Sequence, residues 1–229
     1  MTLVLGAMDG EVAAITEGMR VAHRGDWHGF PIVSGEIAGR PVIVSRTGVG
    51  KTLAAMLCQR LIDEHDPERI IFTGVAGALR DGLEIGDTVI AHDTIQHDMD
   101  VTALGFAPGQ IPYSPHRVFR CDESLVDLAL GLDPPSGRSH GGRILTGDQF
   151  IADAKVRERL ARDLAGDAVE MEGASVALVS TINEIPFLLI RTISDHSDGS
   201  AVAFEEVVSL AARNSWYYLE HILSLVGGA

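Results

Sequence analysis

Acidic residues mark both ends of the stretch Ala168–Ser200. Glu170 and Glu172 stand at a strand-to-helix turn, ahead of a helical segment over Ser175–Asn183. After Pro186 the apolar run Phe187–Ile190 passes through Arg191-Thr192-Ile193-Ser194 to Asp195. A short apolar run bounded by turn signals predicts a buried core strand. Ligand sites in open α/β sheets lie outside the carboxyl ends of such strands. Two strands ending in acids at one sheet edge would set carboxyl groups over an apolar floor, an active-site layout whose reacting groups are acids. Glu11 is a further candidate, just past a first apolar strand, Thr2–Leu5, and in the first turn of a helix through Met19. On spacing alone its position is explained by the helix dipole, which favours an acid there.

The elements that must position these acids follow in alternation. Phe30–Ile37 and Pro41–Ser45 read as paired strands, and an amphipathic helix then runs to Glu64. Arg69–Thr73, Thr88–Ala91 and Arg143–Thr146 read as strands, Asp122–Leu132 and Lys155–Leu164 as helices. A long final helix begins at Phe204, with Val207, Val208, Ala211, Ala212, Leu219, Ile222 and Leu223 as its apolar face. Gly105–Pro115 reads as an ordered loop, and Asp133–Gly142 as a linker-like segment too short to divide domains. Strands alternating with helices predict an α/β fold, a three-layer α/β/α sandwich, in a single domain over residues 1–229.

Hydrophobic residues make up 46% of the 229-residue chain and charged residues 22%, a globular composition. Eighteen basic residues against 32 acids give a net charge of −14. That excess argues against nucleic acid or an anionic membrane surface as partner, since both need a basic footprint. It favours a neutral or zwitterionic small molecule. Cys58 and Cys121 have no disulfide or zinc spacing. With no basic leader and no apolar run of membrane-spanning length, a cytoplasmic location is expected.

Several motifs are weighed and set aside. Arg46–Thr52 resembles a phosphate loop, but Ser45 stands where that motif needs its first glycine, and Leu53 ends any dinucleotide fingerprint. The segment reads as a glycine-rich strand-to-helix turn. Gly74 and Gly77, at the end of a strand, fit either close approach by a ligand or a plain tight turn. The run His92, Asp93, His97, Asp98, Asp100 matches no metal-ligand spacing and reads as solvated loop or interface residues. His196-Ser197-Asp198 has the letters of a hydrolase triad, but adjacent residues on one loop cannot supply its geometry. Phe150 just past a strand fits either the core or stacking on a flat ring.

Six segments occur in order: Gly6–Glu11, Thr73–Gly77, His97–Ala103, Gly147–Ile151, Val169–Gly173 and Arg191–Asp195. Together they resemble the 5′-methylthioadenosine/S-adenosylhomocysteine nucleosidases of the nucleoside phosphorylase superfamily. The resemblance spans nearly the whole chain. The Gly-Val-Ala-Gly and Gln-His-Asp-Met-Asp versions are similar to members that also accept 6-amino-6-deoxyfutalosine, a menaquinone precursor. It implies a mixed twisted central sheet, a homodimer, and no metal or cofactor. It further implies Glu11 as the general base on water and Asp195 as the acid that protonates the purine. Glu172 would hold the ribose hydroxyls with Met171 against the sugar. Phe150 would stack on adenine while the Ile151 backbone reads its edge, and Ala76 and Gly77 would line the pocket. Phe204 would cover the 5′ substituent, and Arg191 would help order the water and Glu11. Many relatives have serine where this chain has Val75, so an altered rate or substrate range is expected there, with the chemistry retained.

That chemistry suits these residue types. Adenine leaves poorly as an anion, so a ring nitrogen must be protonated as the ribose becomes oxocarbenium-like. An Asp at its ordinary ~3.9 would be ionised at neutral pH, so the acid's pKa must be raised by burial or neighbouring acids. A second carboxylate takes a proton from the attacking water. An ionised Glu172 would orient the ribose and steady developing positive charge. Two rivals remain: a phosphorolytic enzyme of the same fold and a non-catalytic nucleoside-binding or storage protein. The first is disfavoured because no arginine precedes Arg20 and Glu11 would repel phosphate. The second could tolerate loss of Glu11 or Asp195, and both acids are present.

Overall fold

The structure is a computed structural model, and it describes residues 1–197 and 204–226. Ten strands and six helices are formed among them. Strands β1 (Thr2–Gly6), β5 (Arg69–Ala78) and β10 (Phe187–Asp195) are the central ones. They run parallel, β1 beside β5 and β5 beside β10. Leu3, Val4, Leu5, Ile70, Ile71, Phe72 and Phe187–Ile190 are all buried. Near-continuous apolar runs of this kind belong to parallel strands covered on both faces. Because the three are parallel, their carboxyl ends meet at one sheet edge, where Glu11 follows β1 and Asp195 ends β10; Glu172 comes instead from the turn after Ala168–Glu170, a strand antiparallel to β5.

On one side of this centre β1 pairs with β4 (Arg40–Arg46), β4 with β3 (Phe30–Ile37), and β3 with β2 (Arg20–Trp27). On the other, β10 pairs antiparallel with β6 (Thr88–Gln96), β6 parallel with β8 (Ser139–Thr146), and β8 with β9 (Ala168–Glu170). β9 returns to pair with β5. The mixed sheet therefore closes part of itself into a ring, β5-β10-β6-β8-β9, from which β1 to β4 extend as a wing. Strand β7 (Phe119–Arg120) adds to β6. Helices α1 (Asp9–Gly18) and α6 (Phe204–Leu225) pack together on the sheet, and α2 (Lys51–His65) packs against α5 (Gly173–Ile182). Helix α3 (Glu123–Leu130) joins α6, and α4 (Ala154–Leu164) flanks a smaller apolar cluster around Leu145 and Ile151. The expected layered α/β fold with a mixed central sheet is present.

Element bounds differ from the expectations where chemistry competes with pattern. β5 continues through Gly74-Val75-Ala76-Gly77 to Ala78 instead of turning at Gly74. Its partner β10 continues equally far, pairing Arg191 with Gly74. The glycines are needed for side chains crossing the strand: a Cβ on Gly74 would lie 2.5 Å from Glu11 Oε1 and 2.9 Å from Arg191 Nη1. The tight turn is thus not formed, and it is the protein's own side chains that approach closely. β6 extends to Gln96, so His92 and Asp93 lie in a strand, with a register shift between Ala91 and Asp93. Ser139–Gly142, read as linker, pairs with Thr88–Ala91 as the start of β8. β2 escaped the sequence reading because its residues are exposed and lack alternation, and only pairing with β3 makes it a strand.

Candidate active site

Glu11 is carried back toward the end of β1 by the first turn of α1, and it is buried. Its Oε2 accepts hydrogen bonds from the Ala7 and Met8 amides at 2.7 and 2.9 Å. Its Oε1 accepts from the Val75 amide of β5 at 3.0 Å. Three backbone donors therefore fix the carboxyl group. Burial raises its pKa from the ordinary range, while the Arg191 charge and these amides oppose the rise. The helix-dipole explanation is incomplete, since the side chain turns inward to β5.

Glu172 caps α5 from the turn after β9, and its Oε1 accepts from the Gly50 amide at 2.8 Å. Burial first, then the charge of Glu170, pushes it up to about 8. Burial and the Glu170 charge thus favour the protonated form of Glu172, against the expectation of an ionised group. Such a group still accepts through one oxygen and donates through the other.

Asp195 ends β10 beside Gly77 of β5. Its Oδ2 accepts from the Ser194 hydroxyl at 2.7 Å and its Oδ1 from the Ser197 amide at 2.8 Å. These bonds hold the carboxyl plane at the cavity wall. Of the His196-Ser197-Asp198 letters, the Ser197 hydroxyl is buried with no hydrogen-bond partner among the described residues, and Asp198 lies outside them.

Behind the three acids Arg191 and Glu170 form an ion pair, a partnership the sequence did not indicate although both residues stood out in it. Arg191 is only 1% exposed, and its Nη2 donates to Glu170 Oε2 at 2.6 Å. The same atom is 3.8 Å from Glu172 Oε2, and the guanidinium sits 4.3 Å from the Phe72 ring centre. Glu170 also accepts from the Glu172 and Gly173 amides and from the Thr146 hydroxyl. A motif that repeats an acid two residues apart gave no sign that Glu170 is the one that bonds the arginine.

A cavity of about 220 Å³ joins these groups. Glu11, Glu172 and Asp195 line it together, with Val75, Ala76, Gly77, Met171 and Phe150. Met8, Val49, Val169, Glu170 and Ser194 also line it and were not singled out from the sequence. Phe150 is 71% exposed, which removes the core reading and leaves its ring at the cavity wall. Ile151 lines a small adjoining cavity, its side chain buried against Leu145 and Val169. Arg191 is not in the lining; it reaches substrate only through the acids. Phe204 begins α6, but its side chain lies outside what is described.

The His/Asp run is divided: His92 and Asp100 are exposed, while Asp93 and Asp98 make internal ion pairs. Asp93 pairs with Arg143 and Asp98 with Lys51. Among the described residues no cluster of His, Cys, Asp and Glu could hold a metal ion. No described helix is long and apolar enough to cross a membrane. Cys58 and Cys121 are free, and burial pushes both thiols up to about 12.

A mixed α/β fold that brings Glu11, Glu172 and Asp195 to one cavity outside its strand ends has the layout of a small-molecule site. The family model described as phosphorylase superfamily matches residues 2–224. A 5′-methylthioadenosine/S-adenosylhomocysteine nucleosidase of Tolumonas auensis is 37% identical over 216 residues, 93% of this chain and 94% of that one. The nucleosidase of S. pneumoniae with the transition-state inhibitor MT-ImmA superposes with a TM-score of 0.91 at 32% identity, covering 99% of this chain and 100% of that one. A futalosine hydrolase of Helicobacter pylori gives 0.88 at 30%, covering 97% and 96%. The chain belongs to the phosphorylase superfamily, and within it to the 5′-methylthioadenosine/S-adenosylhomocysteine nucleosidases, hydrolases of N-glycosidic bonds.

The raised Glu172 pKa has a signed effect on stability. A carboxyl whose folded pKa lies above its unfolded one binds more protons when folded. Its contribution is full below the ordinary 4.5 and is lost as pH rises towards about 8. Urea unfolding midpoints between pH 5 and 8 should therefore fall less steeply in Glu172→Gln than in the wild type. Equal slopes would show that burial does not hold this proton.

Proposed function

We propose that the chain hydrolyses the N-glycosidic bond of 5′-methylthioadenosine and S-adenosylhomocysteine, and of 6-amino-6-deoxyfutalosine, releasing adenine. The observation that carries this reading is the placement of Glu11 and Asp195 along one strand. Glu11 meets β5 at Val75 and Asp195 meets it at Gly77. Both side chains line the same cavity, as an acid and a base acting on opposite sides of one sugar would need.

Asp195 donates its proton to the purine ring as the bond to the anomeric carbon breaks, so that adenine departs neutral. The electron pair of that bond stays with the base, and the ribose becomes oxocarbenium-like. Glu11 takes a proton from water as its oxygen bonds to the anomeric carbon. A base with a raised pKa is the stronger acceptor, provided that it is ionised when water arrives. Arg191 and the three amides favour that ionised state. Glu172 exchanges hydrogen bonds with the ribose hydroxyls, Met171 packs on the sugar, and Phe150 stacks on the base. The Ile151 backbone reads the purine edge, Phe204 covers the 5′ substituent, and Ala76 and Gly77 form the pocket floor. Val75 serves through its amide, since its side chain cannot donate to water.

Phosphorolysis is disfavoured because, among the described residues, no lysine or arginine lines the cavity. Arg191, the nearest buried cation, is engaged by Glu170. The reading takes the chain as a cytoplasmic homodimer acting on small nucleosides. Support comes from the free thiols and from Leu53 and Met56, which leave apolar surface exposed on α2. A monomer in sedimentation equilibrium would remove the dimer from this account.

Chromatography of the three nucleosides with purified protein, in phosphate-free buffer, should show adenine release from each. Glu11→Gln and Asp195→Asn should each lower kcat by at least ~100-fold, with unchanged thermal melting. Wild-type turnover by either variant excludes that residue from the mechanism, and an absolute need for phosphate excludes hydrolysis.

A further inference from the structure

Lys51 and Asp98 are both 17% exposed in their side chains and paired at 2.6 Å, yet neither lines the cavity. They belong to a closed set of bonds among three segments. The Lys51 ammonium donates to Asp98 Oδ1 and, at 3.2 Å, to Gln96 Oε1 at the end of β6. The other oxygen of Asp98 accepts from the Asp148 amide at 2.9 Å. Asp148 Oδ1 in turn accepts from the Lys51 amide at 2.8 Å. The ring of contacts thus runs from turn to strand end to loop and back to the turn.

Each of the two loops tied in this way presents a group to the cavity. In the turn, the Gly50 amide, one residue before Lys51, donates to Glu172. In the loop, Phe150 follows Asp148 by two residues and forms cavity wall. Gly50 holds this pose with φ near +98°, a conformation that needs an external hold because glycine has many others. Burial pushes the Asp98 carboxyl up, but Lys51 and the Asp148 amide outweigh it and hold it below the usual range, so the pair is charged. A charged pair this enclosed is stronger and geometrically stricter than an exposed one.

We infer that Lys51, Asp98 and Asp148 are positioning residues: a clamp that fixes the Gly50 turn against the Phe150 loop and so sets the ribose and base contacts together. This inference rests on the nucleosidase reading for what is positioned, while the clamp itself is a statement about the two loops. Contacts that hold substrate equally in ground and transition states govern KM, with little effect on kcat.

The test uses the purified full chain, methylthioadenosine kinetics and amide hydrogen exchange followed by NMR. Lys51→Met and Asp98→Ala should raise KM about tenfold with kcat within about threefold of wild type. Exchange at the Gly50 and Asp148 amides should quicken at least ~10-fold in both. The double variant should be no worse than the worse single one, the signature of a shared interaction, and Lys51→Arg should recover most of the KM. If Asp98→Ala does not fold, Lys51→Gln takes its place. Wild-type KM together with wild-type exchange at Gly50 overturns the clamp, even if the melting temperature falls. If the wild type hydrolyses none of the three nucleosides, the nucleosidase reading fails, and the exchange rates still decide the clamp.

Discussion

A guanidinium buried away from water needs compensating charge and hydrogen bonds, or the fold does not tolerate it. Arg191 meets the demand for charge with Glu170 at 2.6 Å, Glu172 nearby and the Phe72 ring beside it, while its Nε and Nη1 have no hydrogen-bond partner among the described residues. The constraint also works in reverse. Three carboxyl groups close to one apolar cavity would repel one another and lose hydration, and a single cation behind them limits both costs. Glu170 is the group that answers Arg191 directly, and it spends its remaining capacity on the Glu172 and Gly173 amides and Thr146. The remaining acids are left facing the cavity.

From that arrangement follow different states for chemically similar groups. Glu11 is raised by burial, while Arg191 and three amides oppose the rise. Glu172 has one amide donor, and burial and the Glu170 charge push its pKa up to about 8. Asp195 is tied by a hydroxyl and an amide at the opposite side of Gly77. Environment, more than residue type, divides the labour among acids in a common site.

Much of this was legible in the sequence. The apolar strands Thr2–Leu5 and Phe187–Ile190, and the acids after them, located the sheet edge and its carboxyl groups. The six segments in order identified the family, which position alone would not have done for Glu11. What was not legible depended on partners distant in the chain. The extra length of β5 exists because β10 pairs with it and because Glu11 and Arg191 cross it at Gly74. The glycine turn set aside as a phosphate loop does present an amide to an acid, but the acid is Glu172 from across the cavity. Its lysine likewise finds Asp98, in a run that spacing described as solvated.

The central claim is that burial in one shared cleft, balanced by Arg191, sets the charge on the acids. Side-chain carboxyl carbons of the wild-type protein, followed by 13C NMR across pH, test it most directly. The account predicts a Glu172 midpoint near the value of about 8 and a Glu11 midpoint above the ordinary 4.5. Both carboxyl groups titrating at or below 4.5 would contradict it.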